Sequence, residues 1–123
     1  MDRISITVAL AAVLFATASP ARAGDAAHGQ ETFRQCAACH GAAGTGTDNG
    51  PSLIGIVGRK AGAAEGFRYS PPMKRSPIVW DAPTLKAFVT DPQGTVKGTR
   101  MPFAGLKNPA DADDVVAYLV TLK

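Results

Sequence analysis

The chain has 123 residues, 46% of them hydrophobic, and a formal charge of +3. That is enough apolar material for one small domain. No basic run interleaved with aromatics points to nucleic acid, and internal repeats and low-complexity segments are absent.

Residues 1–23 read as a secretory leader. Met1-Asp2-Arg3 precedes an apolar run from Ile4 to Ala18, Ser19-Pro20 breaks it, and Ala21-Arg22-Ala23 offers a small-x-small cleavage site before Gly24. The run is short for a membrane span of about 20 apolar residues. Asp2 cancels the charge of Arg3, so a retained anchor is the lesser alternative, and no stable membrane insertion is expected. Cleavage after Ala23 leaves a single domain of 100 residues, 24–123, in the periplasm. Loss of Asp2, Arg3 and Arg22 lowers the charge from +3 to +2. A domain this small often leans on a cofactor or cross-links for its core.

Asp25 is a plausible N-cap for a first helix running to about Cys39. Gly29 and Phe33 share a face of it, and a glycine there suggests a close helix contact or simple tolerance near the helix start. The helix ends in Cys36-Ala37-Ala38-Cys39-His40, the spacing that attaches c-type haem. Each thiol can join a vinyl group as a thioether, and the adjacent imidazole can reach the iron. These are the only cysteines, so the rival is a disulfide or a thioredoxin-like redox pair. That fold needs a strand leading into the motif, whereas residues 25–35 look helical. Zinc would require Cys36, Cys39, His40 and distant His28, a poor spacing.

Gly41 to Gly50 reads as loop. Residues 53–58 are apolar but broken by glycines, a strip suited to line a cofactor. Arg59-Lys60 follow, where a guanidinium could pair with a buried carboxylate or sit solvated. Gly66 to Pro77 looks irregular. Asp81-Ala82-Pro83-Thr84 starts a helix whose apolar face carries Leu85, Phe88 and Val89, and Asp91-Pro92 stops it. Gln93 to Lys107 is loop. A final helix starts at Asn108-Pro109, with Asp111, Asp113 and Asp114 favouring its positive end. Val115, Leu119 and Leu122 form its stripe, widened by Val116 and Val120. Nothing reads as an extended sheet, so the domain is mostly α.

A haem iron held by His40 needs a second ligand or an open site. His28 lies in the same helix as the motif and reads as a surface residue, leaving Met73 and Met101. Spacing slightly favours Met101, and core packing is the ordinary role of either methionine.

With these features the chain closely resembles the class I cytochromes c, in the branch shared by mitochondrial cytochrome c and bacterial electron carriers. The matching stretches are Gly50-Pro51-Ser52-Leu53 with Gly55, Gly58-Arg59-Lys60-Ala61-Gly62, Gly66-Phe67-Arg68-Tyr69, Trp80 and Thr84-Leu85. Gly98-Thr99-Arg100-Met101-Pro102-Phe103-Ala104-Gly105 and Asp114-Val115-Val116-Ala117-Tyr118-Leu119 complete them. The resemblance implies an all-α cytochrome c fold, with three to five helices around one haem c bound through Cys36 and Cys39. It implies His40 and Met101 as axial ligands, and a Pro51 carbonyl that accepts the other ring N–H of His40. Arg59, Tyr69, Trp80 and Thr99 would hold the propionates, and Gly29 and Phe33 would pack near Val115 and Tyr118. Two positions depart from the family: Phe88 stands where relatives often have a tyrosine, and Met73 where many have an asparagine.

The implied function is a monomeric one-electron carrier, not an enzyme. It would run between a cytochrome bc complex and an oxidase or photosynthetic reaction centre. Arg59, Lys60, Lys74, Lys97, Arg100 and Lys107 would form a cationic rim for partners with acidic docking surfaces. The alternatives are a dedicated acceptor for one periplasmic dehydrogenase, and a five-coordinate haem enzyme or gas binder.

Overall fold

The computed structural model describes residues 11–16 and 24–123. Residues 11–16 are exposed and carry no regular secondary structure, and the rest of the leader lies outside the described residues. Among the described residues no helix is long and apolar enough to cross a membrane.

The described residues form six helices in order: α1 (Ala26–Thr32), α2 (Arg34–His40), α3 (Pro71–Arg75), α4 (Ala82–Thr90), α5 (Pro92–Thr95) and α6 (Pro109–Val120). Two isolated β-bridges occur, Thr47 with Gly50 and Lys60 with Val79. The three to five helices expected become six for local reasons. The first helix is divided at Phe33, whose carbonyl accepts from both the Cys36 N–H at 2.7 Å and the Ala37 N–H at 3.0 Å. That shared carbonyl tightens one turn just before the cysteines. Ser70 and Asp91 each cap a helix that opens with proline, making short helices of segments expected to be irregular.

The expected starts of the longer helices are present. Asp25 accepts from the N–H groups of Ala27 and His28. Asp81 and Thr84 form a reciprocal capping box, with both backbone-to-side-chain bonds at 2.9 Å. Asn108 caps α6, and Pro109 is its first residue.

The helices pack through an α1–α6 seam. Gly29 is buried where the helices cross, and a Cβ there would strike the backbone carbonyl of Asp114. One turn on, the rings of Phe33 and Tyr118 pack with centroids 5.1 Å apart. The close-contact reading of Gly29 therefore holds.

The acids of α6 correct the sequence expectation. Only Asp111 lies in the first turn. Asp114 is buried; its carboxylate accepts from the Asp25 N–H at 2.7 Å and meets His28 Nδ1 at 2.6 Å. Asp113 pairs with Lys86 Nζ of α4 at 2.7 Å. Two of the three therefore tie helices together rather than complement a dipole. Val115, Val116 and Leu119 are buried as expected, whereas Val120 is 41% exposed and lies outside the stripe.

Two outcomes follow for stability. Gly29→Ala should lower the denaturant midpoint by the equivalent of about 1–3 kcal/mol, because two backbones must separate. A gain of about 1 kcal/mol, the helix-propensity effect alone, would reject the close contact. The Thr84 N–H and hydroxyl hold the Asp81 carboxyl below its usual range. A depressed carboxyl stabilises the fold above its unfolded pKa and ceases to do so as pH falls through the folded value. Asp81→Ala should therefore cost stability at neutral pH, with the difference from wild type shrinking below about pH 4 in acid titrations followed by helical circular dichroism.

Candidate functional site

A cavity of about 450 Å³ lies inside the helices. All nine residues singled out from the sequence line it: Cys36, Cys39, His40, Pro51, Arg59, Tyr69, Trp80, Thr99 and Met101. Leu53, Ile56, Leu85, Phe88, Val89 and Leu106 give it apolar walls, and of the glycine-broken strip at 53–58 only Leu53 and Ile56 line the cavity, while Ile54 and Val57 are exposed.

α2 supplies one wall. Cys36 and Cys39 are half-buried free thiols one helical turn apart. Burial and the neighbouring Cys39 push the Cys36 thiol up to about 11, so it is protonated at neutral pH. His40 ends the helix, with Nδ1 2.8 Å from the Pro51 carbonyl. A carbonyl can only accept, so Nδ1 carries the proton and Nε2 keeps the lone pair. Burial lowers the imidazole pKa, an effect the Pro51 bond partly opposes, which favours a neutral ring.

The loop beyond α2 makes that bond possible. Thr47 Oγ1 donates to the Cys39 carbonyl at 2.5 Å, and the Gly46 N–H to the His40 carbonyl at 2.7 Å. A Cβ on Gly50 would lie 2.8 Å from the Cys39 carbonyl oxygen and 3.1 Å from His40 Nδ1. Glycine at 50 therefore lets the turn close onto the imidazole. The dipeptide Gly50-Pro51 was visible in the sequence, but its steric reason was not.

Polar groups gather elsewhere on the wall. The Arg59 guanidinium donates to the carbonyls of Ser52 at 2.6 Å and Ile54 at 3.3 Å. Among the described residues it meets no protein carboxylate, the pairing the sequence left open, and it keeps further N–H groups. The Tyr69 hydroxyl accepts from the Ala64 N–H at 3.1 Å, which leaves its own proton to donate. Trp80 is buried and its backbone is pinned, with its carbonyl accepting from Gly58 at 2.7 Å and its N–H donating to Arg59 at 2.9 Å. Thr99 is buried, and its Oγ1 accepts a long bond from the Met101 N–H at 3.5 Å.

Both candidate thioethers, Met73 and Met101, line the cavity. Met73 is buried on α3, whereas Met101 is half-buried in the loop before α6. Phe88 packs on Trp80 with ring centroids 5.1 Å apart. His28 is not in the cavity wall, and its partner is Asp114. Arg68 and Arg100 also line the cavity; Arg100 was expected in a cationic rim, whereas Arg68 was not assigned a role there.

The donor set fits haem. Apolar walls suit the macrocycle, two thiols on one helix suit its vinyl groups, and Arg59 and Tyr69 offer donors to its carboxylates. A neutral imidazole nitrogen and a thioether suit its iron.

Comparison with known proteins agrees. The family model for cytochrome c matches residues 26–123. The chain is 52% identical over 103 residues to cytochrome c2 of Rhodoblastus acidophilus, covering 82% of this chain and 95% of that one. With cytochrome c2 of Rhodomicrobium vannielii the identity is 43% over 122 residues, 98% of this chain and 97% of the relative. The solved structure of ferricytochrome c2 from Rhodopseudomonas palustris superposes with a TM-score of 0.73 at 40% identity, covering 80% of this chain and 99% of that one. The protein therefore belongs to the cytochrome c family, as a class I c-type cytochrome that binds haem c and serves electron transport.

Proposed function

We propose that this protein is a soluble periplasmic carrier of single electrons whose haem iron is held by His40 and Met101. The observation that carries the reading is His40: Pro51 takes up Nδ1, so the remaining nitrogen is an unprotonated donor in a cavity that Met101 also lines. Haem c, when bound, supplies an iron that exchanges one electron between its ferrous and ferric forms.

The residues of the chain then divide the work. Cys36 and Cys39 would hold the cofactor as thioethers, each S–H adding across a vinyl group with no oxidant required. The Pro51 bond makes His40 a stronger donor and fixes its ring. The Met101 thioether, a soft ligand, favours the ferrous state, and the apolar walls disfavour extra charge, so both raise the potential. With both His40 and Met101 on the iron, no position would remain for peroxide or a gas, which favours a carrier over an enzyme. Arg59, Tyr69, Trp80 and Thr99 hold the propionates. Phe88 and Met73 contribute no hydroxyl or amide to the cavity, so Met101 sits in a drier setting than the tyrosine and asparagine of many relatives would provide.

The monomer docks transiently through cations around the cavity, with Arg68 and Arg100 in its lining. Its partners are redox complexes with acidic surfaces, a cytochrome bc complex on one side and an oxidase or reaction centre on the other.

Two measurements test this reading. Met101→Ala should abolish the weak sulfur-to-ferric-iron band at the red end of the spectrum and lower the reduction potential. Retention of both would reject Met101 as the ligand. Reduction by a purified bc complex should slow several-fold as ionic strength rises from about 0.01 M to about 0.15 M, as charge steering is screened. A salt-independent rate would reject the cationic docking face.

A further inference from the structure

The loop that presents Met101 has little main-chain support of its own. Among the described residues, no backbone–backbone hydrogen bond involves residues 100–105. The nearest such anchors are the Thr99 N–H on the Val96 carbonyl at 3.0 Å and the Leu106 N–H on the Val89 carbonyl at 2.8 Å. At the far end Gly105, with φ +109°, lies so close to Thr90 that a Cβ would meet its carbonyl. At the near end Gly98 has φ +87°, and a Cβ there would lie 2.9 Å from the Pro72 ring.

One side chain closes the near end. Gln93, on α5, donates from Nε2 to the Thr99 carbonyl at 2.8 Å and accepts at Oε1 from the Gly98 N–H at 3.1 Å. A single primary amide thus satisfies a donor and an acceptor on adjacent residues, three and two positions before Met101. Only one orientation of the amide serves both bonds. α5 is itself fastened by Asp91, whose carboxylate accepts from the Gly94 N–H at 3.0 Å, so Gln93 reaches across from a fixed support.

We infer that Gln93 is a positioning residue for Met101: its amide holds Gly98-Thr99 in place and thereby sets how readily the thioether leaves its post. The inference rests on the reading of Met101 as the axial ligand. A small neutral ligand can take the iron only when the loop opens, so its apparent affinity reports the opening equilibrium. The net contribution of one neutral hydrogen bond corresponds to about a three- to tenfold shift in such an equilibrium.

The test is imidazole titration of the ferric, haem-loaded protein without denaturant, in which a purely structural role leaves the affinity unmoved. Gln93→Ala should bind imidazole about three- to tenfold more tightly than wild type. Gln93→Glu keeps the acceptor for Gly98 but offers no donor to Thr99, so it should fall between the two. It carries the comparison if the alanine variant loads haem poorly. Wild-type affinity in both variants overturns the inference. Met101→Ala, titrated in parallel, separates the two ways of failing. If it behaves as wild type, the ligand reading is wrong; if it alone changes, Met101 is the ligand and Gln93 does not position it.

Discussion

A neutral imidazole has one nitrogen with a free lone pair, and in His40 the Pro51 carbonyl decides which one it is. The 2.8 Å contact places the proton on Nδ1 and fixes the ring against a turn that closes only because residue 50 is glycine. Thr47 and Gly46 bond back to the last carbonyls of α2, so the same turn also finishes the helix. Helix end, ring orientation and tautomer are one problem with one solution. The opposite side of the cavity could vary in many ways and still face a donor of known direction.

The domain that carries this arrangement is hollow at its centre. Core residues such as Ile56, Leu85 and Leu106 both pack against one another and face the cavity. The family domain, matched over residues 26–123, is small and has little apolar surface to spare, so a flat apolar cofactor would complete the core as well as the site. Direct helix-on-helix packing is correspondingly concentrated at the α1–α6 seam, where Gly29 permits backbone contact and Phe33 meets Tyr118.

What could be read from the sequence was local or carried by a motif. Asp81-Ala82-Pro83-Thr84 and Asn108-Pro109 state helix starts in four or fewer residues, and both starts are present. Cys36, Cys39 and His40 state their chemistry by spacing. The nine site residues converge on one cavity, which resemblance anticipated and no periodicity could have shown. Features that depend on tertiary partners were hidden. Asp111, Asp113 and Asp114 look alike in a row, yet one lies in the first turn of α6, one pairs with Lys86 and one is buried under α1. α3 and α5 are shorter than any window in which periodicity can register. Gln93 is an ordinary loop glutamine until its two partners are seen.

The Asp114 carboxylate joins residues 86 and 89 positions away, at the opposite end of the chain. Closing the α1–α6 seam, which buries Gly29 and Phe33, therefore requires the two ends of the domain to meet around a loop of more than 80 residues. The entropy of closing so long a loop is met only when both helices are in place, so the segment that carries Cys36 and Cys39 is held in the fold by the last helix of the chain.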